Sequence, residues 1–129
     1  GGVGLAAPQV GQLLRLIVVE YPQDDSQEEA KKKLYVLVNP KIVKRSQETE
    51  MGLEGCLSVP DIVGEVERAL EIEVYSLNRS GKKAKFHAKG WLARIFQHEI
   101  DHLDGILFVD RATKLYKTTE EEAEQAEQV

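Results

Sequence analysis

His98-Glu99-Ile100-Asp101-His102 has the form H-E-x-x-H. Residues i and i+4 stand one above the other on a helix, so both imidazoles can reach one metal ion. Glu99 projects close enough to touch a water held there without being a ligand itself. Three histidines and sixteen glutamates in 129 residues would give this pattern by chance in about one chain in a hundred of such composition. Two histidines merely satisfied in a core is therefore the weaker reading. Turning a carboxylate and two imidazoles inward costs on the order of several kcal/mol unless a cation compensates.

A catalytic metal normally has three protein ligands and keeps a further position open, so a third ligand is needed. His87 falls on the outward phase of a strand and reads better as exposed. Glu121 and Glu122 lie near the ~20-residue downstream spacing that some H-E-x-x-H peptidases use, but inside a solvated acidic run. Cys56 remains, a soft anionic ligand when deprotonated, within Gly52-Leu53-Glu54-Gly55-Cys56-Leu57-Ser58-Val59-Pro60. As the single cysteine it excludes an intramolecular disulfide and fits a reducing compartment.

The elements that must position these groups are legible in part. From Trp91, Leu92, Ile95, Phe96, Glu99, Ile100 and Leu103 recur at helical spacing, with Gly90 and Gly105 at the ends. This predicts one largely buried helix of about four turns carrying the histidines. Upstream, Leu70 to Leu77 alternates with Leu70, Ile72, Val74 and Ser76 on one face. Asn78-Arg79-Ser80-Gly81 supplies a turn, and Lys82 to Lys89 alternates again, which predicts a hairpin. Leu14 to Glu20 and Leu34 to Val38 read as paired strands around a polar loop at 21–29, the second ending at Asn39-Pro40. Lys41 to Lys44 is a separate, shorter strand candidate.

At 129 residues, 42% apolar and 30% charged, the chain fits one domain with a real core. No stretch approaches the ~20 apolar residues of a membrane span. The net charge of −5 arises from Glu120, Glu121, Glu122, Glu124 and Glu127, leaving 17 acidic and 17 basic residues elsewhere. A neutral body argues against a nucleic-acid footprint. The expected organisation is a catalytic domain over 1–115 and an acidic tail, helical or frayed, over 116–129. The opening Gly1-Gly2-Val3-Gly4, with Met51 the only methionine, suggests a missing translational start, behind which a targeting segment would be invisible.

Gly2-Val3-Gly4-Leu5-Ala6-Ala7-Pro8-Gln9, Glu54-Gly55-Cys56-Leu57-Ser58 and Gln97-His98-Glu99-Ile100-Asp101-His102 resemble the three ordered motifs of the peptide deformylases. The resemblance runs from Gly2 to about Leu115. It implies an α+β fold, with antiparallel strands packed around a central helix that bears the metal motif. It assigns Cys56, His98 and His102 as metal ligands. Fe(II) is the expected ion in the cell, with zinc, nickel or cobalt able to replace it. An Fe(II) form would be vulnerable to oxygen, as would Cys56 itself.

The implied reaction is hydrolysis of the N-formyl group from the N-terminal methionine of new polypeptides, releasing formate. Glu99 is the implied general base and acid, and the Gln9 side-chain amide and the Leu57 backbone N–H the implied oxyanion donors. The peptide is expected to lie as an added strand between the segments around Val3, Gly4 and Gly55. Val3, Glu54, Trp91 and Ile95 are candidates for the methionine pocket. Glu54 and Arg68 are expected to form a bracing ion pair. Asp101 reads equally as an imidazole-orienting group or a salt-bridge partner. Expected partners are nascent formylmethionyl polypeptides near the ribosome, with no direct nucleic-acid or membrane binding. The expected setting is a bacterial cytoplasm or an organelle. Against the family pattern, roughly 40 residues ahead of the first motif are missing, about one supersecondary unit. Two rival readings remain, another H-E-x-x-H metallopeptidase with a downstream carboxylate ligand, and an inactive fragment whose metal is structural.

Overall fold

The computed structural model describes residues 4–6, 15–22, 32–56 and 59–117. Their elements run β1 (Gly4–Ala6), β2 (Leu16–Pro22), β3 (Lys32–Arg45), β4 (Thr49–Cys56), β5 (Val59–Ala69), β6 (Glu71–Leu77), β7 (Lys83–Lys89), α1 (Gly90–Leu103), α2 (Phe108–Arg111) and β8 (Lys114–Lys117). Two antiparallel sheets form, a five-stranded one in the order β1-β2-β3-β6-β7 and a three-stranded one in the order β4-β5-β8. With α1 packed among them this is an α+β fold, and no helix among the described residues is long and apolar enough to cross a membrane.

The alternation of β6 places Ile72, Val74 and Ser76 inward, and Ala88 of β7 joins them. With Ile17, Val19, Tyr35 and Leu37 they face Leu92, Ala93, Ile95, Phe96 and Ile100 of α1. Phe96 meets Tyr35 edge-on at 5.3 Å between ring centroids and Phe86 at 6.4 Å. The helix leaves β7 without a loop. Gly90 takes φ +61° there and donates its N–H to the Leu70 carbonyl, a left-handed geometry that favours glycine.

Three features differ from the pattern reading. Asn39-Pro40 does not end β3. Register with β6 jumps from Val38↔Leu77 to Lys41↔Tyr75, and this β-bulge, with Asn39 at φ +51°, absorbs the proline and lets the strand continue. Next, β4 and β5 form the longest pairing of the small sheet, from Thr49↔Ala69 to Cys56↔Val59. Periodicity hides them because two inward positions hold Glu54 and Arg68 instead of apolar residues. Finally, β8 pairs with β5 through Lys117, carrying sheet structure two residues beyond position 115.

Phe96→Ala removes the ring at the junction of sheet and helix and should destabilise the protein by about 3–5 kcal/mol. Urea unfolding should show a lower midpoint at unchanged slope, with Phe96→Leu costing clearly less.

Candidate metal centre

Three side chains from two elements, α1 and β4, converge. His98 and His102 lie one turn apart with ring centroids 4.5 Å from each other. Cys56, at the end of β4, brings its Sγ to 3.7 Å from His102 Nε2. One donor atom from each of Cys56, His98 and His102 lies within 4.8 Å of the others, and all three residues are buried. Cys56 reaches this place because β4 breaks register between Gly55 and Cys56 and its sulfur packs with Val66 and Phe108. The His98 ring stacks on the same Phe108 at 6.3 Å, which fixes its plane.

Glu54 precedes Cys56 by two residues, so on a strand both side chains face the helix. It is completely buried. Its carboxylate accepts from Arg68 Nε and Nη2, both at 2.9 Å, from Arg94 Nη1, and from His98 Nδ1 at 2.8 Å. Burial pushes the Glu54 pKa up, but the hydrogen bonds and charges of Arg68 and His98 outweigh it and hold the carboxyl at about 2. A carboxylate can only accept, so His98 carries a proton on Nδ1, which leaves Nε2 as the ring atom available to a cation. His98 Nε2 is buried and makes no hydrogen bond among the described residues.

Arg68 extends the brace, donating from Nη1 to Asp101 at 2.6 Å, and Asp101 also accepts from Arg111 Nε at 2.6 Å. Asp101 is thus engaged with arginines, not with an imidazole. Gln97 clamps the Ala69 peptide, its Nε2 donating to the carbonyl at 2.9 Å and its Oε1 accepting from the N–H at 3.1 Å. That pair sets the rotation of α1 against β5. Arg94 and Arg111 escaped the sequence reading, and Gln97 stood in the third motif without a role. Arg94 stands one turn before His98, so helical spacing places it on the ligand side, and only an inward arginine without a visible acid concealed the network.

Glu99 is fully buried, and among the described residues neither carboxylate oxygen makes a hydrogen bond. Its Oε1 stands 3.2 Å from His102 Nδ1, an ion-pair distance without hydrogen-bond alignment. Gly4 of β1 covers it. A Cβ at that position would lie 2.7 Å from Glu99 Oε2 and 3.1 Å from Ile95 Cγ2, so a side chain would displace the carboxylate. Ile95 is completely buried beneath this contact. Trp91 is half-buried on the core, with the Arg94 guanidinium 5.3 Å from its ring centroid. The pocket expectation needs correcting at Glu54, which lies behind the ligands with all its acceptors engaged and presents no wall to solvent. A Cβ added at Gly55 would meet Val63 Cγ1 at 3.5 Å, an ordinary contact. Val3, Gln9, Leu57, Glu121 and Glu122 lie outside the described residues, and His87 sits half-exposed on the outer face of β7, paired with Glu71.

A buried imidazole nitrogen and a buried carboxylate that make no hydrogen bond among the described residues, with a sulfur facing a second imidazole, form an electron-rich cluster. Those donors fit a divalent cation. With protein groups alone, burial pushes His102 toward neutrality, but Cys56 and Glu99 outweigh it and raise its pKa to about 9. His98 shifts upward too, burial being outweighed by Cys56 and Glu54. Ligation needs neutral imidazoles and a thiolate, so metal entry must expel protons. Affinity for Ni(II) should therefore rise from pH 6.5 to 8.5 as the proton on His102 becomes easier to remove. Competition against a chromophoric chelator at both pH values checks this, and a flat affinity would contradict it.

The sequence model of the family described as polypeptide deformylase matches residues 1–118. A peptide deformylase of Symbiobacterium thermophilum is 56% identical over 98% of this chain and 56% of its own length. The chloroplastic peptide deformylase 1A of Solanum lycopersicum is 46% identical over 92% of this chain and 47% of its own length. The chain thus spans about half the length of these curated relatives. Among solved structures, the Met-Ala-Ser-bound class I type b peptide deformylase of Acinetobacter baumannii superposes with a TM-score of 0.76 at 47% identity, covering 85% of this chain and 70% of that one. A matching profile over nearly the whole sequence, on a fold that brings the cysteine and both histidines together, places the chain in the polypeptide deformylase family.

Proposed function

We propose that the chain hydrolyses the N-formyl group of formylmethionine at the start of newly made polypeptides, releasing formate and a free amine. The observation that carries this reading is the convergence of Cys56, His98 and His102 beside a buried Glu99 whose carboxylate stands 3.2 Å from His102 and makes no aligned hydrogen bond among the described residues. Cys56, His98 and His102 would hold a divalent ion, which would supply Lewis acidity and lower the pKa of water there. Glu99 takes the proton of the attacking water and delivers it to the leaving nitrogen. Its burial removes competing solvent, and the shield of Gly4 keeps its carboxylate turned toward the ligands. Glu54 holds His98 in the ligating tautomer. The Gln9 amide and the Leu57 N–H serve as donors to the developing oxyanion.

Two edge strands flank the centre, β1 at the border of the large sheet and β4 at the border of the small one. An extended peptide can pair with such edges through its backbone, which tolerates any sequence and suits an enzyme meeting every new chain. The Met-Ala-Ser peptide held by the Acinetobacter relative has the chemistry of the deformylated product. Val3, Trp91 and Ile95 are assigned to the methionine side. The working ion is read as Fe(II); a thiolate and two imidazoles hold cobalt, nickel or zinc more tightly than iron, so supply in the cell and not affinity selects it. The setting is read as a bacterial cytoplasm close to the ribosome, with an organelle as the other location, given the chloroplastic relative.

Formate release from formyl-Met-Ala-Ser, assayed anaerobically with Fe(II) or with Ni(II), tests the reading. Glu99→Gln should keep metal and fold while losing about 10²–10⁴ in kcat. Gln9→Ala should lose about 10²–10³. Cys56→Ala should lose both metal and turnover, and a fully active Cys56→Ala protein would sink the assignment. A folded, metal-loaded wild type that released no formate would favour a structural metal.

A further inference from the structure

On the outer face of the large sheet, away from α1, three neighbouring strands place Lys41, Tyr75 and Lys85 in one cross-strand row. The β3 bulge is what turns Lys41 outward. Tyr35 and Leu37 alternate inward before it, and without the inserted residue Lys41 would follow them into the core. Tyr75 is 51% exposed, an uncommon place for a large ring in the middle of a sheet face. Lys85 Nζ stands 5.9 Å from its centroid. The row opens onto a groove of about 570 Å³ whose lining includes Asn39, Leu77 and Lys83. The adjoining hairpin, residues 78–85, adds Arg79 and Lys82 and holds no acid.

Charge on this face is segregated. Further along the same strands Lys44 faces Glu73, and Glu71 faces Lys89, so those rows are balanced. At the hairpin end Lys85 alone reaches a carboxylate, Glu73 at 3.7 Å, and among the described residues Lys41, Arg79, Lys82 and Lys83 form no ion pair. Lysines on an edge strand commonly guard against sheet-to-sheet aggregation, which would account for Lys83 and Lys85 on β7. It does not account for Lys41 and Tyr75, which sit on interior strands. The neutral total of the body had concealed this separation.

We propose that this face binds single-stranded RNA, with a base stacked on Tyr75 and the flanking phosphates held by Lys41, Lys83 and Lys85. Cations one strand spacing, roughly 5 Å, to each side of an exposed ring match a base between its phosphates. A sheet face reads unstacked bases, so a duplex is a poor occupant. The choice of RNA over DNA rests on the deformylase reading, because a protein that meets polypeptides as they are made works among RNA.

Fluorescence anisotropy of the metal-loaded full chain with a labelled 12-nucleotide uridine-rich RNA tests this. Tyr75→Thr, which keeps the strand preference, should weaken binding about ten-fold with little change in salt dependence. Lys41→Gln/Lys83→Gln/Lys85→Gln should weaken it and flatten the slope of log K against log[salt] by about 2. Formate release, measured on the same samples, should stay at wild-type level, which separates failure of this surface from failure of the deformylase reading. Equal binding of poly-glutamate by wild type and Tyr75→Thr would overturn the proposal in favour of an acidic protein partner. Tighter binding of the matching DNA strand, or RNA binding unaffected by either variant, would overturn it as well.

Discussion

The Glu54 carboxylate ties the small sheet to the helix, and the geometry of the centre depends on it. From β4 it reaches Arg68 on β5 and both Arg94 and His98 on α1, so one buried anion joins three elements. Taking these charges out of water is expensive, and a buried ion pair of this kind adds little net stability over an apolar filling. Its value is directional. A bidentate guanidinium admits one orientation of the carboxylate, and that orientation admits one tautomer of His98.

The arrangement separates two kinds of buried polar group. Glu54, Arg68, Arg94 and Asp101 satisfy one another and form a rigid backing. Glu99, His98 Nε2 and the Cys56 sulfur stand in front of it, turned toward a shared space. Buried polar atoms without a hydrogen bond are costly, and the Glu99 oxygens and His98 Nε2, which make none among the described residues, mark where a cation and a reacting proton belong. The apolar core of the large sheet supports this from the other side, with Ile95 and Phe96 holding α1 while Gln97 fixes its rotation. Function thus occupies the seam between a conventional core and an ionic one. The outer face of the same sheet is free of both, and its lysine and tyrosine row answers to a different kind of partner.

H-E-x-x-H announced its own helix, because i, i+4 spacing carries the geometry with it. The β6–β7 hairpin was equally plain, since its alternation and turn chemistry are local. Three ordered motifs were enough to suggest the family and the ligand set, and the expected Glu54–Arg68 pair lies where two paired strands bring it. The paired strands β4 and β5 were not legible, because their inward positions hold Glu54 and Arg68 and so erase the apolar signal. Asn39-Pro40 read as a stop because a proline in a strand needs a bulge, and a bulge is specified by the neighbouring strand, not by the dipeptide.

By itself the sequence determined which atoms could bind a metal and move a proton, since donor type and helical spacing are properties of the chain. Only the tertiary structure decided that Cys56 sits 3.7 Å from His102, that Glu54 backs His98 instead of lining a pocket, and that Lys41 faces out beside Tyr75. Each of these depends on contacts between residues dozens of positions apart, and the register and bulges that set them arise only when the sheets and helix pack together.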